Sequence, residues 1–193
     1  MAKVVVKSKV KKTKKKFPVE IRAPEYLNNY LLGNSQVTDL NSLVGKTAKI
    51  NLMYITGNVK NQNVRLTFSV NEVNSGLAKT IVTKYDQIPY YLGRFVRKGS
   101  DLIEDSFEVT TKDSRVVTIK PFIVTKMNTS GLILSQIRKN LRELVEKDAK
   151  ESVYDEFISS IIGGRIQNGY RTELKKIFPL KALEFKKVEL HQK

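Results

Sequence analysis

The chain is 193 residues long, 40% apolar and 28% charged, and its 35 Lys and Arg against 19 Asp and Glu give a net charge of +16. That length buries a core, while the absence of cysteine and the single histidine, His191 in the C-terminal tail, leave no disulfide framework, no Cys or His-pair metal site and no histidine triad except through that tail. No apolar run approaches the roughly 18 residues of a membrane span, and Val4-Val5-Val6 is too short for the core of a signal peptide.

In chain order, residues 1–16 hold eight lysines and no acid, while the other 177 residues hold 27 basic and 19 acidic side chains. Half the excess charge therefore sits in an arm that cannot bury enough apolar surface to fold alone. We expect it to be disordered, with Lys7, Lys9, Lys11, Lys12, Lys14, Lys15 and Lys16 ordering against phosphates. Lys16 to Phe17 is the clearest boundary, and 17–193 reads as one domain. Phe17–Arg22 alternates and predicts a strand, at an edge because Pro18 cannot donate to a ladder. Residues 25–45, with Asn28-Asn29, Gly33-Asn34-Ser35 and Gly45, read as irregular.

Alternation predicts strands over Lys46–Tyr54 and Asn63–Val73, joined by a polar loop, and a weaker one over Gly76–Tyr85. A short helix follows, capped by Asp86, with Pro89 in its first turn and Gly99 at its end. A second hairpin spans Ser106–Thr111 and Arg115–Thr125 around Lys112-Asp113-Ser114. Helical spacing predicts helices over Leu132–Glu151, capped by Ser130, over Val153–Ile162, capped by Ser152, and over Arg165–Phe178. Leu180–Leu190 alternates imperfectly as a last strand. The fold class expected is α+β: a curled antiparallel β-barrel with a flanking C-terminal helical layer.

Catalytic motifs fail on inspection. Gly45-Lys46-Thr47 lacks the earlier glycine of a P-loop, since Leu40 stands there, and it leads into a strand. Gly163-Gly164-Arg165 reads as a helix stop. Glu104 and Asp105, adjacent on an extended chain, point to opposite faces and cannot share a substrate or a metal. Neither an enzyme activity nor a cofactor is expected. Basic clusters dominate instead: Arg94, Arg97 and Lys98 on the short helix, Lys112 and Arg115 at a hairpin turn, and Lys120 and Lys126 on the next strand. Arg138, Lys139 and Arg142 open the long helix, where the macrodipole favours acids, which points to a partner; Arg165 and Arg171 lie further on. Such clusters suit phosphate contacts, which set affinity and register. Tyr90 and Tyr91 fit bases or, better, the core.

The order of segments carries a resemblance. Phe17 to Pro24 is followed by Gly33-Asn34-Ser35, by Leu43-Val44-Gly45-Lys46-Thr47 leading into Leu52 to Gly57, and by the strand Val64 to Phe68. Then come Val109-Thr110-Thr111-Lys112-Asp113, Ile137-Arg138-Lys139, Tyr154-Asp155-Glu156 and Ile177-Phe178-Pro179-Leu180. From Phe17 to Leu190 this resembles the small-subunit ribosomal protein 3a (3Ae) family of archaea and eukaryotes, with a length like that of the archaeal members. The resemblance implies a barrel with peripheral helices on the platform of the small subunit, near the messenger RNA exit. It implies small-subunit rRNA and neighbouring platform proteins as partners, messenger RNA near the exit as a further one, and a ribosome-bound, cytoplasmic location. Thr111, Lys112 and Asp113 and the pair Arg138 and Lys139 match the family's motifs. The alternative is a free single-stranded nucleic-acid-binding barrel, acting as a chaperone or packaging factor, which would need aromatics exposed on its strand faces.

Overall fold

The computed structural model describes residues 16–74 and 76–191, so the expectation of a disordered arm over residues 1–15 lies outside the described residues. Nine strands form one sheet: β1 (Phe17–Arg22), β2 (Leu31–Val37), β3 (Thr47–Asn51), β4 (Val64–Asn74), β5 (Leu77–Gln87), β6 (Leu102–Glu104), β7 (Phe107–Thr110), β8 (Val116–Thr125) and β9 (Leu180–Leu190). The helices are α1 (Leu52–Thr56), α2 (Pro89–Gly93), α3 (Gly131–Glu151), α4 (Tyr154–Ile162) and α5 (Arg165–Leu174).

β5 is the hub. One edge pairs with β4 over nearly its whole length. The other pairs in parallel with β1 at residues 77–79 and antiparallel with β9 at residues 84–86. β9 continues to β8, whose far edge takes β6 and then β7. β3 pairs only with β4, and β6 and β7 only with β8, so the two ends of the sheet do not meet. The expected barrel is therefore corrected to an open sheet. Its core-facing side is filled by helices, with Leu66, Phe68, Val117, Ile119 and Phe185 in one apolar core with Ile137, Leu141, Val145, Phe157 and Leu174. The sheet is also not wholly antiparallel, because the long connection between β1 and β5 permits their parallel pairing.

Several boundaries differ from the sequence reading for local reasons. β2 forms within the stretch read as irregular, held by pairing with β1 rather than by an apolar pattern. β1 is thus no edge strand. The Glu20 N–H donates to the Gly76 carbonyl on the β5 side, so the Pro18 nitrogen faces that same side, one step before β5 begins to pair. The strand expected to run to Tyr54 stops at Asn51, whose side chain accepts from the Met53 N–H at 2.9 Å and caps α1. Gly57, at φ 68°, ends that helix. Asp86 is not a helix cap but a β5 residue, and α2 stops at Gly93. α4 is flanked by Val153 rather than Ser152, and Ser130 precedes α3 without a side-chain cap bond.

The helical layer is fastened at α4. Tyr154 is 1% exposed, and its hydroxyl donates to the Val82 carbonyl, within the interval of β5 between its β1 and β9 pairings. Burial pushes that phenol up, so it stays a donor. Tyr154→Phe leaves the carbonyl unsatisfied and is expected to cost about 1–2 kcal/mol in urea unfolding at neutral pH.

Candidate nucleic-acid interface

Residues 94–98 follow α2 in a run of tight turns. Leu92, Tyr91 and Phe95 pack on Phe122 and Val124 of β8, and Tyr91 and Phe95 meet edge to face at 5.2 Å. The Lys181 ammonium donates to the Phe95 carbonyl at 2.8 Å and ties the segment to β9. Ser100 donates to the Arg97 carbonyl at 2.7 Å. On this fixed base Arg94, Arg97 and Lys98 are exposed, and among the described residues none has a carboxylate partner. Tyr91 belongs to the core as expected, whereas Tyr90 is 84% exposed and does not.

The hairpin between β7 and β8 holds the junction of α3 and α4. Thr111 is buried, and its N–H donates to the Arg115 carbonyl at 3.0 Å. The Lys112 N–H donates to the Ser152 carbonyl at 3.2 Å, and the Asp113 carboxylate accepts from the Tyr154 N–H at 3.4 Å. The Arg115 guanidinium lies over the Tyr154 ring, 5.4 Å from its centre. Of the two cations expected here, Lys112 thus points to solvent and Arg115 is engaged with the helical layer.

The opening of α3 divides likewise. Arg142 makes a two-pronged bond to Asp105, both contacts at 2.7 Å, and covers the Phe107 ring at 5.5 Å. α3 begins at Gly131, so Arg142 lies mid-helix, beyond the reach of the macrodipole, and it serves the bend between β6 and β7. Glu104 instead pairs with Lys186 at 2.9 Å, so the adjacent carboxylates do part company. Arg138 is half-buried, and Lys139 is exposed with Glu143 at 4.0 Å. Lys16, Lys126 and Arg165 are exposed, and Lys120 is half-buried. Arg171 is spent on the Lys181 carbonyl at 2.7 Å. Gly45 and Lys46 form the turn into β3, with backbone bonds to Val70 in both directions, and so do not open a helix as a P-loop does.

Further cations, absent from the clusters expected from the sequence, lie on the sheet's outer face: Lys49, Arg65, Lys84, Lys186 and Lys187. Lys49, Arg65 and Lys84 stand at the polar phase of alternating strands, as Arg65 does beside Thr67, and that phase is the available signal; Lys186 and Lys187 are consecutive and carry no such signal. Lys84 bonds Glu189 at 2.9 Å, and this contact holds its ammonium above the usual lysine range. Burial works to raise the Glu189 carboxyl, but bonds from Lys187 and Lys84 outweigh it and hold it low.

Comparison with known proteins bears on the whole chain. The model of the Ribosomal S3Ae family matches residues 5–193. A small ribosomal subunit protein eS1 from Haloarcula marismortui is 31% identical, the alignment covering 93% of this chain and 84% of that protein. Its namesake in Sulfolobus acidocaldarius is 28% identical over 88% of this chain and 87% of its own length. The one in Methanobrevibacter smithii is 27% identical over 95% and 96% respectively.

The Arg142 hydrogen bonds hold the Asp105 carboxyl below the usual aspartate range. The pair therefore stabilises the fold fully above about pH 4 and loses its effect as pH falls through that lowered value. Asp105→Asn is expected to cost about 1 kcal/mol at neutral pH. Unfolding curves of the two chains should converge as the medium is made acidic.

Proposed function

This chain belongs to the Ribosomal S3Ae family, and we propose on that premise that it is a structural constituent of the small ribosomal subunit that grips rRNA through its lysine arm and basic clusters. The family is one of ribosomal proteins rather than enzymes. The proposed seat is the platform, near the messenger RNA exit, with neighbouring platform proteins as further partners and the cytoplasmic ribosome as its location. The exposed messenger near that exit is a further RNA within reach.

The observation that carries the reading is the set of exposed cations without carboxylate partners among the described residues: Arg94, Arg97, Lys98, Lys112, Lys126 and Arg165. They come from turns and helix ends that the packed sheet holds in fixed relative positions. Point charges on a rigid frame suit phosphates whose own positions are fixed by folded RNA. No helix of the described residues is long and apolar enough to cross a membrane.

Sucrose-gradient sedimentation of native lysate in moderate salt and magnesium tests this. The protein is expected to co-migrate with small subunits and full ribosomes in near-stoichiometric amounts. Recovery at the top of the gradient, or only with heterogeneous RNA that nuclease removes, would favour the free single-stranded binder. Removing residues 1–16 is expected to flatten the salt dependence of RNA binding by about 0.7–0.9 log units per phosphate that the arm contacts. An unchanged slope would take the arm off the RNA.

A further inference from the structure

The outer face of the sheet carries a row of charge that crosses strands rather than following one. Asn51 of β3 stands opposite Arg65 of β4, Arg65 opposite Asp86 of β5, Asp86 opposite Lys187 of β9, and Lys187 opposite Lys120 of β8. Five strands at the usual spacing make this row about 20 Å long. Lys49, Arg65, Lys120, Lys186 and Lys187 line one open cleft there, and Asp86 is the one carboxylate among them.

Two features show that this cleft is held against local cost. First, Lys120 and Lys187 are directly opposite, and like charges so placed across strands repel. Second, consecutive residues of a regular strand face opposite sides, yet Lys186 and Lys187 line the same cleft. The pairing explains how. Lys120 is opposite Lys187 but Pro121 is opposite Phe185, so Lys186 is the extra residue of a bulge. Pro121 has no N–H to offer the ladder, and the bulge beside it re-aims a side chain. The carboxylates nearby do not balance the cations. Glu189 is shared between Lys84 and Lys187, Glu104 takes Lys186, and Asp86 faces Lys84 at 3.6 Å. Lys49, Arg65 and Lys120 have no ion pair among the described residues.

We propose that this bulge-built cleft is a binding site for the phosphodiester backbone of an RNA strand, separate from the turn and helix clusters. The proposal rests on the RNA-binding reading above and adds to it a specific surface. An extended polyanion neutralises the repulsion between Lys120 and Lys187 and bridges to Arg65 along the row. A single small anion could meet only one end of it.

The test uses the full chain and fluorescence-detected binding of oligouridine over a salt series. Arg65→Gln with Lys120→Gln is compared with Lys147→Gln and Lys150→Gln, which remove the same charge from exposed positions on α3. The cleft pair is expected to bind about tenfold more weakly than the parent, with a log–log salt slope smaller by about 1.4 for two lost single-strand contacts. The α3 pair should stay close to the parent. Lys120→Gln alone should unfold at the same or a higher temperature, since it relieves the like-charge contact. Equal losses in the two pairs, with a parent that binds, overturn the cleft alone. A parent that binds no RNA overturns the cleft and the wider reading together. Displacement of the cleft-dependent binding by inorganic phosphate at constant ionic strength would mark a free-anion site and likewise overturn the proposal.

Discussion

The architecture depends on how β5 divides one of its edges between two strands. β1 occupies the first part and β9 the last, and neither reaches residues 80–83. Backbone groups left there without a ladder would be costly beneath a helical layer. Two side chains work within the interval: Thr80 donates to the Arg22 carbonyl at 2.8 Å, and Tyr154 donates to the Val82 carbonyl. The tyrosine thus joins sheet and helices where the sheet is least continuous. Arg115 over its ring and Asp113 at its N–H extend that junction to the β7–β8 hairpin. Lys112 and Asp113 are accordingly a brace for the junction of α3 and α4.

Charge on this molecule has two uses that composition alone does not separate. Arg142, Arg171 and Arg115 are engaged by the fold itself, with Asp105, the Lys181 carbonyl and the Tyr154 ring. Three arginines with planar, multi-donor heads hold the frame, as that geometry suits. The lysines of the turns and of the outer face, with Arg94, Arg97 and Arg165, meet solvent. The result is a rigid body in which some cations are bound by the fold and others, Arg94, Arg97, Lys98, Lys112, Lys126 and Arg165, face solvent without a carboxylate partner among the described residues.

Much of this was legible in the residues. β4, β7, β8, α3, α4 and α5 follow their periodicities to within a few residues, because each buries an apolar stripe, which β8 widens to both faces from Pro121 onward. The misses share a cause. β2, with Gly33-Asn34-Ser35 inside it, is a strand only because β1 offers it a partner. α1 interrupts an alternating run because Asn51 caps it, and side-chain capping competes with alternation at short range. The open sheet was not readable because hairpin patterns specify neighbours, while closure depends on ends far apart in the chain. The cleft was hidden for the same reason. Arg65, Lys120 and Lys187 are remote in sequence, and only strand register brings them into line.

The place of β9 bears on how the chain reaches this state. The last of these nine strands in sequence lies between β5 and β8, so the middle of the sheet is completed by the strand latest in the order. Until Leu180–Leu190 emerges, β5 and β8 present open edges, and the pairing that joins the two halves spans about a hundred residues of intervening chain. Such non-local pairing slows folding relative to a sheet completed by hairpins. Lysines on those same strands, Lys79 and Lys84 on β5 and Lys120 on β8, disfavour edge-to-edge addition of one unfinished chain to another.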